Sequence, residues 1–309
     1  ACPLWERPLV TIPQGLLVRE EQMDWPRRLA ALYALTTQGP HIVVASVESL
    51  VLRLPPKDFF AGASVDLAPN ATFPPEELLG RLDTLGYTRV PMVTRPGEMA
   101  RRGDIVDVFA SGFRHPLRIE FFDDTIEELR LFDEQTQRSL QSLDEATILP
   151  ASPWLRTPEV QASFSARLEK LAKSGSISSD IAYDCHKALE QGGRTLLPGS
   201  VCEHTSLLED WLPKDTLYLC AGEEATQRAF EETWEDLAQR IQGARAQVLQ
   251  SPGLVLRAKE SFPWDAPRDG CRADVVWSEP LVVGVEAKGE ALIERPIRDF
   301  QELFREPEA

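Results

Sequence analysis

Apolar residues recur at helical spacing in several segments of the chain, and short continuous apolar runs lie between these segments. A spacing of three to four residues predicts amphipathic helices. The helical segments are Asp24 to Leu35, Ser46 to Leu54, Pro75 to Leu85, Pro158 to Lys173, Ser178 to Gln191 and Glu223 to Gly243. Continuous apolar runs predict strands that are buried on both faces. These runs are His41 to Ala45, Thr216 to Cys220, Leu254 to Ala258 and Leu281 to Val285. The combination predicts an α/β fold.

The pattern changes to period-two alternation between Tyr87 and Leu131, which is typical of strands with one buried face. The predicted strands are Asp104 to Phe109, Leu117 to Phe122 and Thr125 to Leu131, separated by turns at Ser111-Gly112 and Asp123-Asp124. Strands joined by such short turns form an antiparallel meander. This segment therefore differs in class from its surroundings.

The domain organisation that follows is an α/β domain interrupted by an inserted α+β domain with an antiparallel sheet. Insertions enter at surface loops because these tolerate added chain without loss of the core. We predict the α/β domain at residues 1–68 and 151–294 and the inserted domain at residues 69–150. The remaining residues, 295–309, form either a linker helix towards further domains or a helix that packs back on this one.

Composition narrows the possible functions. The chain has 33 basic and 49 acidic residues, a net charge of −16, and this balance disfavours direct binding of DNA. The five cysteines are scattered without a CxxC pair, which disfavours a disulfide framework or zinc ribbon. Cys185-His186 and Cys202-x-His204 do not have the usual spacing of a metal site. We find no signal peptide or membrane span, and we expect a cytoplasmic protein without metal or cofactor.

The second meander strand carries the strongest interface signal. Leu117, Ile119 and Phe121 share one face of this strand, whereas Arg118, Glu120 and Phe122 share the other. An outward phenylalanine beside an arginine is typical of a binding hot spot. Arg101 and Arg102 precede the neighbouring strand and are expected nearby. The pattern alone leaves an alternative open, in which Phe122 lies under the helix that begins at Pro75.

The same region resembles a known family. The motifs are PGEMARRGDIVDVF ending at Phe109, LRIEFFDD from Leu117, LRLFD from Leu129, Gln137-Arg138, ILPA from Ile148, Gly86-Tyr87 and, upstream, HIVVASVESL from His41. They are similar to UvrB and, more closely, to the N-terminal UvrB-homology module of bacterial transcription-repair coupling factors (Mfd). The resemblance implies a degenerate helicase-like (RecA-like) α/β domain with an inserted domain that docks the damage-sensing ATPase UvrA in nucleotide excision repair.

By this resemblance, the residues that contact UvrA are Arg102, Arg118 and Phe122, with Glu120 and Arg101 less secure. We expect the phenylalanine ring and the two guanidinium groups of Arg102 and Arg118 to lie together, bare to solvent, with the guanidinium groups pairing with carboxylates or carbonyls of the partner. The resemblance also implies that a distant C-terminal domain masks this surface, and that RNA polymerase and DNA are engaged only through downstream domains.

Catalysis is not expected. A GxxxxGK[ST] phosphate loop is absent from the sequence, and the strand that resembles the acidic-pair strand of helicases continues as Cys220-Ala221-Gly222-Glu223. The chain is expected to begin partway into the first α/β half. The segment Leu16 to Asp24, which corresponds to the DNA-threading hairpin of UvrB, has no tyrosine. The competing hypothesis is an ATP- or DNA-handling fragment of a UvrB-like helicase.

Overall fold

Most helices and the meander strands begin and end close to the predicted positions. The computed structural model describes residues 9–12, 25–36, 39, 41–190, 196–214, 216–243, 252–259 and 275–278. The helices are α1 (Trp25–Ala34), α2 (Val47–Val51), α3 (Pro75–Thr84), α4 (Pro158–Lys173), α5 (Ser179–Glu190), α6 (Pro198–Val201), α7 (Leu208–Trp211), α8 (Glu223–Gly243) and α9 (Pro252–Val255). The strands are β1 (Leu9–Thr11), β2 (Ile42–Val44), β3 (Val65–Leu67), β4 (Thr88–Arg89), β5 (Glu98–Arg102), β6 (Ile105–Val108), β7 (Leu117–Phe122), β8 (Thr125–Phe132), β9 (Ser139–Ser142), β10 (Ala146–Ile148), β11 (Tyr218–Ala221) and β12 (Val275–Ser278).

A six-stranded sheet in the order β4-β5-β6-β7-β8-β9 dominates the middle of the chain. The strands β5 to β9 pair antiparallel in sequence order, whereas β4 and β5 are parallel. The predicted meander of β6, β7 and β8 is therefore confirmed, while β4, β5 and β9 were not predicted. The mixture of helices with antiparallel and parallel strands confirms the broad α/β class; the RecA-like assignment and the domain limits stay predictions.

One face of this sheet packs against α3. Leu78 and Leu82 of α3 are fully buried in one core with Ile119 of β7 and Leu129 of β8. The short antiparallel pair of β3 and β10 contributes to the same core. The helix ends before Gly86, whose φ of 91° is a left-handed conformation that glycine adopts without steric strain. The opposite face of the sheet is called the outer face below.

Tyr87 fixes the chain at the entrance to this sheet. Its hydroxyl donates a hydrogen bond to the carbonyl oxygen of Leu149 at 2.7 Å and accepts one from the backbone N–H of Ser111 at 3.2 Å. The side chain is fully buried, and this burial raises the pKa of Tyr87 to about 12. The tyrosine thus joins three segments that are distant in sequence.

A second core is formed by residues that precede the sheet region in sequence and by residues that follow it. Leu29 of α1 and Leu52 after α2 are buried with Phe230 and Ile241 of α8 and with Leu256. The backbone N–H of Arg53 donates to the carbonyl of Val255 at 2.9 Å, which joins the two halves directly. Residues that precede and follow the sheet region in sequence therefore share one core, while the insertion of one domain into another stays a prediction. A third cluster, with Phe164 and Leu168 of α4, joins α4 to α5.

One predicted strand is wrong, and two others are less buried than predicted. The run Leu254 to Ala258 was predicted as a strand, but its first residues belong to α9 and only Leu256 forms a bridge, with Leu52. The strands β2 and β11 form as predicted, yet Val44 is 51% exposed and Leu219 is 75% exposed. Within the described residues, β2 pairs only with β1 and β11 only with β12, and the exposure of Val44 and Leu219 shows that one face of each strand is not covered.

Several predictions fall on residues outside the described ranges. These are the segment Leu16 to Asp24, the strand at Leu281 to Val285 and the helix at Arg295 to Phe304. Among the helices in the described ranges, none is both long and apolar enough to cross a membrane.

Candidate functional site

The strand β7 separates buried from exposed side chains as its alternation predicts. Leu117, Ile119 and Phe121 are buried against the core, whereas Arg118 and Glu120 are half-buried on the outer face. Phe122 is 71% exposed at the end of the strand. Because the ring is bare to solvent, the alternative in which it lies under α3 is wrong.

Strand register places Arg102 on the same face. Arg102 of β5 is opposite Ile105 of β6, which is opposite Glu120 of β7. Residues directly opposite in antiparallel strands project to the same side of the sheet. At about 4.8 Å between strands and about 3.3 Å per residue along a strand, Arg102 lies about 10 Å from Glu120, and Arg118 about 13 Å from Phe122. The outer face therefore carries Arg102, Arg118 and Phe122 within an area that a single protein partner can cover.

The guanidinium group of Arg118 differs from the prediction that it would be bare. Its Nε donates to Oδ1 of Asp107 at 2.7 Å, and its Nη2 donates to Oδ2 of Asp107 at 2.9 Å. The Arg118 side chain is only 16% exposed, and that of Asp107 is 3% exposed. The hydrogen bonds with Asp107 raise the pKa of Arg118, although burial opposes them. Arg118 is thus half of a buried bidentate ion pair.

Further contacts hold this guanidinium group in place. Its carbon lies 4.3 Å from the ring centroid of Phe132, which is fully buried. Its Nη2 also donates to Oε1 of Gln137 at 3.1 Å. Gln137 has a φ of 61°, unusual for a residue with a side chain, and its own Nε2 donates to the carbonyl oxygen of Glu134 at 2.9 Å. The Phe132 ring, the Asp107 carboxylate and the Gln137 amide together enclose the guanidinium group of Arg118.

The other predicted residues are placed differently. Arg102 is exposed, and its Nη2 donates to the carbonyl oxygen of Pro91 at 3.2 Å. Glu120 accepts a hydrogen bond from Arg130 on β8. Arg101 is opposite the buried Val106, so it projects to the face that α3 covers, where it pairs with Glu76. The structure therefore brings Arg102, Arg118, Glu120 and Phe122 to one face and leaves Arg101 on the other.

Sequence reasoning missed Asp107, Arg130, Phe132 and Gln137 on the outer face. An available signal was Asp107 itself, which interrupts the apolar strand β6 and is expected to need a buried cation. The pairing of Asp107 with Arg118 depends on strand register, which the sequence does not state. Within the described residues, three or more His, Cys, Asp or Glu side chains nowhere converge as a metal site would require.

The sequence is similar to known DNA-repair proteins, and the segment that forms the six-stranded sheet matches a known domain family. Residues 65–154 match the model of the UvrB interaction domain. The chain is 32% identical over 234 residues to a transcription-repair-coupling factor of Myxococcus xanthus, covering 70% of this chain and 19% of that protein. It is 26% identical over 302 residues to the transcription-repair-coupling factor of Escherichia coli K12, covering 91% of this chain and 26% of that protein.

A UvrABC system protein B is also similar. The protein from Kosmotoga olearia is 29% identical over 204 residues, covering 66% of this chain and 29% of that protein. The chain therefore spans only 19% to 29% of the length of these relatives. The matches confirm the resemblance that the motifs around Gly103 and Phe122 predicted.

Proposed function

We propose that this chain, a repair-related module built around a UvrB interaction domain at residues 65–154, recruits UvrA through the outer face of its six-stranded sheet. The observation that carries the proposal is Phe122, a large aromatic side chain that is 71% exposed at the end of β7. Aromatic side chains at the centre of an interface bury much area at little entropic cost and dominate hot spots.

The surroundings of Phe122 favour a protein partner. Arg102 supplies a cationic side chain on the same face, and Glu120, between Arg118 and Phe122 on β7, forms an ion pair with Arg130. Arginine and aromatic residues are the two classes most enriched at hot spots. A standard interface buries about 800 Å² on each partner, which exceeds the area spanned by Arg102, Arg118 and Phe122 and leaves room for a polar rim.

The proposal is tested by binding of purified UvrA to variants of this chain. Truncation of a hot-spot aromatic costs about 2 kcal/mol or more, so we expect Phe122→Ala to weaken binding by about thirtyfold or more. Tyr183→Ala is the matched control, since Tyr183 is also an exposed aromatic, 67% exposed, but lies on α5 outside residues 65–154. Wild-type affinity of the Phe122 variant, with circular dichroism unchanged, would remove the site assignment.

We further infer that the chain does not hydrolyse ATP. At the end of β11, Cys220 and Ala221 stand where the resemblance expects a magnesium-binding acidic pair. Burial raises the pKa of the Cys220 thiol, and a thiol is not one of the oxygen ligands that magnesium prefers. In a longer protein, we infer that a C-terminal domain covers the outer face until UvrA is needed, and that RNA polymerase and DNA are bound by other domains.

A further inference from the structure

The geometry of the outer face gives Arg118 a role other than the one expected from sequence. An exposed arginine presents a planar fork with which it binds a partner carboxylate through two parallel hydrogen bonds. In this structure the edge formed by Nε and Nη2 is already used by Asp107, at 2.7 and 2.9 Å. That edge is therefore closed to a partner, and the only other pair of parallel donors is the one formed by Nη1 and Nη2.

The remaining donors of Arg118 are equally restricted. Nη2 donates its second hydrogen to Oε1 of Gln137 at 3.1 Å. Within the described residues, Nη1 has no hydrogen-bond partner, and the side chain is 16% exposed. The donor left for another protein is thus Nη1, on a guanidinium group whose carbon lies 4.3 Å from the ring centroid of Phe132.

We propose that Asp107 and Gln137 are positioning residues of the docking face, which hold Arg118 so that only Nη1 reaches the partner and donates to one carbonyl or carboxylate oxygen. This inference rests on the proposed function. Holding the side chain before binding removes much of the rotamer entropy of a free arginine that would otherwise be lost when the complex forms. Asp107 and Gln137 thereby contribute to affinity without touching the partner.

Gln137 offers a way to separate positioning from stability. Its φ of 61° is a conformation that glycine adopts readily, so Gln137→Gly removes the amide while relieving the backbone. We expect this variant to unfold at the wild-type temperature but to bind UvrA about threefold to tenfold more weakly, because the loosened Arg118 side chain must be ordered when the complex forms. Asp107→Asn, which removes the charge with little change of shape, is expected to weaken binding further.

The controls distinguish this inference from a general loss of stability. Tyr87→Phe removes buried hydrogen bonds on the far side of the core and is expected to lower stability while leaving affinity unchanged. In an Arg118→Ala background, Gln137→Gly is expected to cause no further loss of binding, because its effect acts through Arg118.

Each outcome decides one claim. If Phe122→Ala and Arg118→Ala weaken binding but Gln137→Gly and Asp107→Asn do not, the positioning role is wrong and the docking function stands. An additive loss for Gln137→Gly in the Arg118→Ala background also overturns the positioning role. If Phe122→Ala binds like the wild type, the docking function itself fails.

Discussion

Replacing Tyr87 by phenylalanine should destabilise the sheet region by a predictable amount that depends on pH. The substitution keeps the ring and removes the hydroxyl that serves both the carbonyl oxygen of Leu149 and the N–H of Ser111. A buried polar group left without a partner costs about 1–3 kcal/mol. With some relaxation of the two groups, we expect a total loss of about 2 kcal/mol at neutral pH.

Amide hydrogen exchange measures this loss within the region itself, where denaturation of the whole chain would mix several cores. The amides of Val106 and Ile119 lie at the centre of the sheet and exchange only when the region opens. A loss of about 2 kcal/mol accelerates their exchange by about thirtyfold. Exchange of α8, which packs in the other core, serves as the internal control.

The pH dependence follows from the pKa of Tyr87, which burial raises to about 12 in the folded protein. An unfolded tyrosine has a pKa of about 10. Above that pH the unfolded state releases the proton first, so the wild type is fully stabilised below about pH 10 and loses stability as pH rises towards 12. Phenylalanine does not titrate, and the pH-dependent contributions of all other groups to stability are the same in the two proteins and cancel in the difference. The deficit of the variant should therefore shrink by about 1.4 kcal/mol between pH 8 and pH 11.

The difference between the two proteins in urea denaturation at pH 8 and at pH 11 checks this pH dependence, because the contributions of the other cores are the same in both proteins and cancel. A deficit that stays constant from pH 8 to pH 11 would refute the assignment of a buried, hydrogen-bonded tyrosine. Unchanged exchange of Val106 and Ile119 at neutral pH would refute the energetic argument for the hydroxyl.

Two further predictions concern the second core and the end of β11. Arg257 and Glu209 form a buried ion pair with side chains 3% and 6% exposed. Arg257→Met leaves the carboxylate buried without its cation and should lower the free energy of unfolding, measured by urea denaturation, by about 3–5 kcal/mol. The double variant with Glu209→Leu should recover part of this loss, and no recovery would contradict the role of the unpaired carboxylate. Equilibrium dialysis should find no saturable binding of ATP with magnesium, and micromolar affinity would instead favour the helicase-fragment hypothesis.

Local patterns determined much of the fold and the existence of the candidate site. The helical spacing of Phe230, Trp234, Leu237 and Ile241 predicted α8 with its observed bounds, because one turn of helix brings residues three and four apart to one face. Alternation in β7 assigned Phe121 to the core and Phe122 to the surface, since successive side chains of a strand point to opposite faces. The long motif around Gly103 and Phe122 predicted the family.

Tertiary structure alone decided what depends on partners distant in the chain. The apolar run at Leu254 was predicted as a strand, but its first residues form α9 beside α8 and only Leu256 forms a bridge, with Leu52. A short apolar run does not by itself distinguish a strand from a buried helical segment. Alternation gives the face of Arg118 but does not determine its neighbours, which follow from the register that places Asp107 opposite it and the turn that returns Gln137 to it. Burial, charge pairing and exposure depend on such non-local contacts. For this reason the sequence predicted an exposed guanidinium group on Arg118, whereas in the fold this group is paired with Asp107 and Gln137.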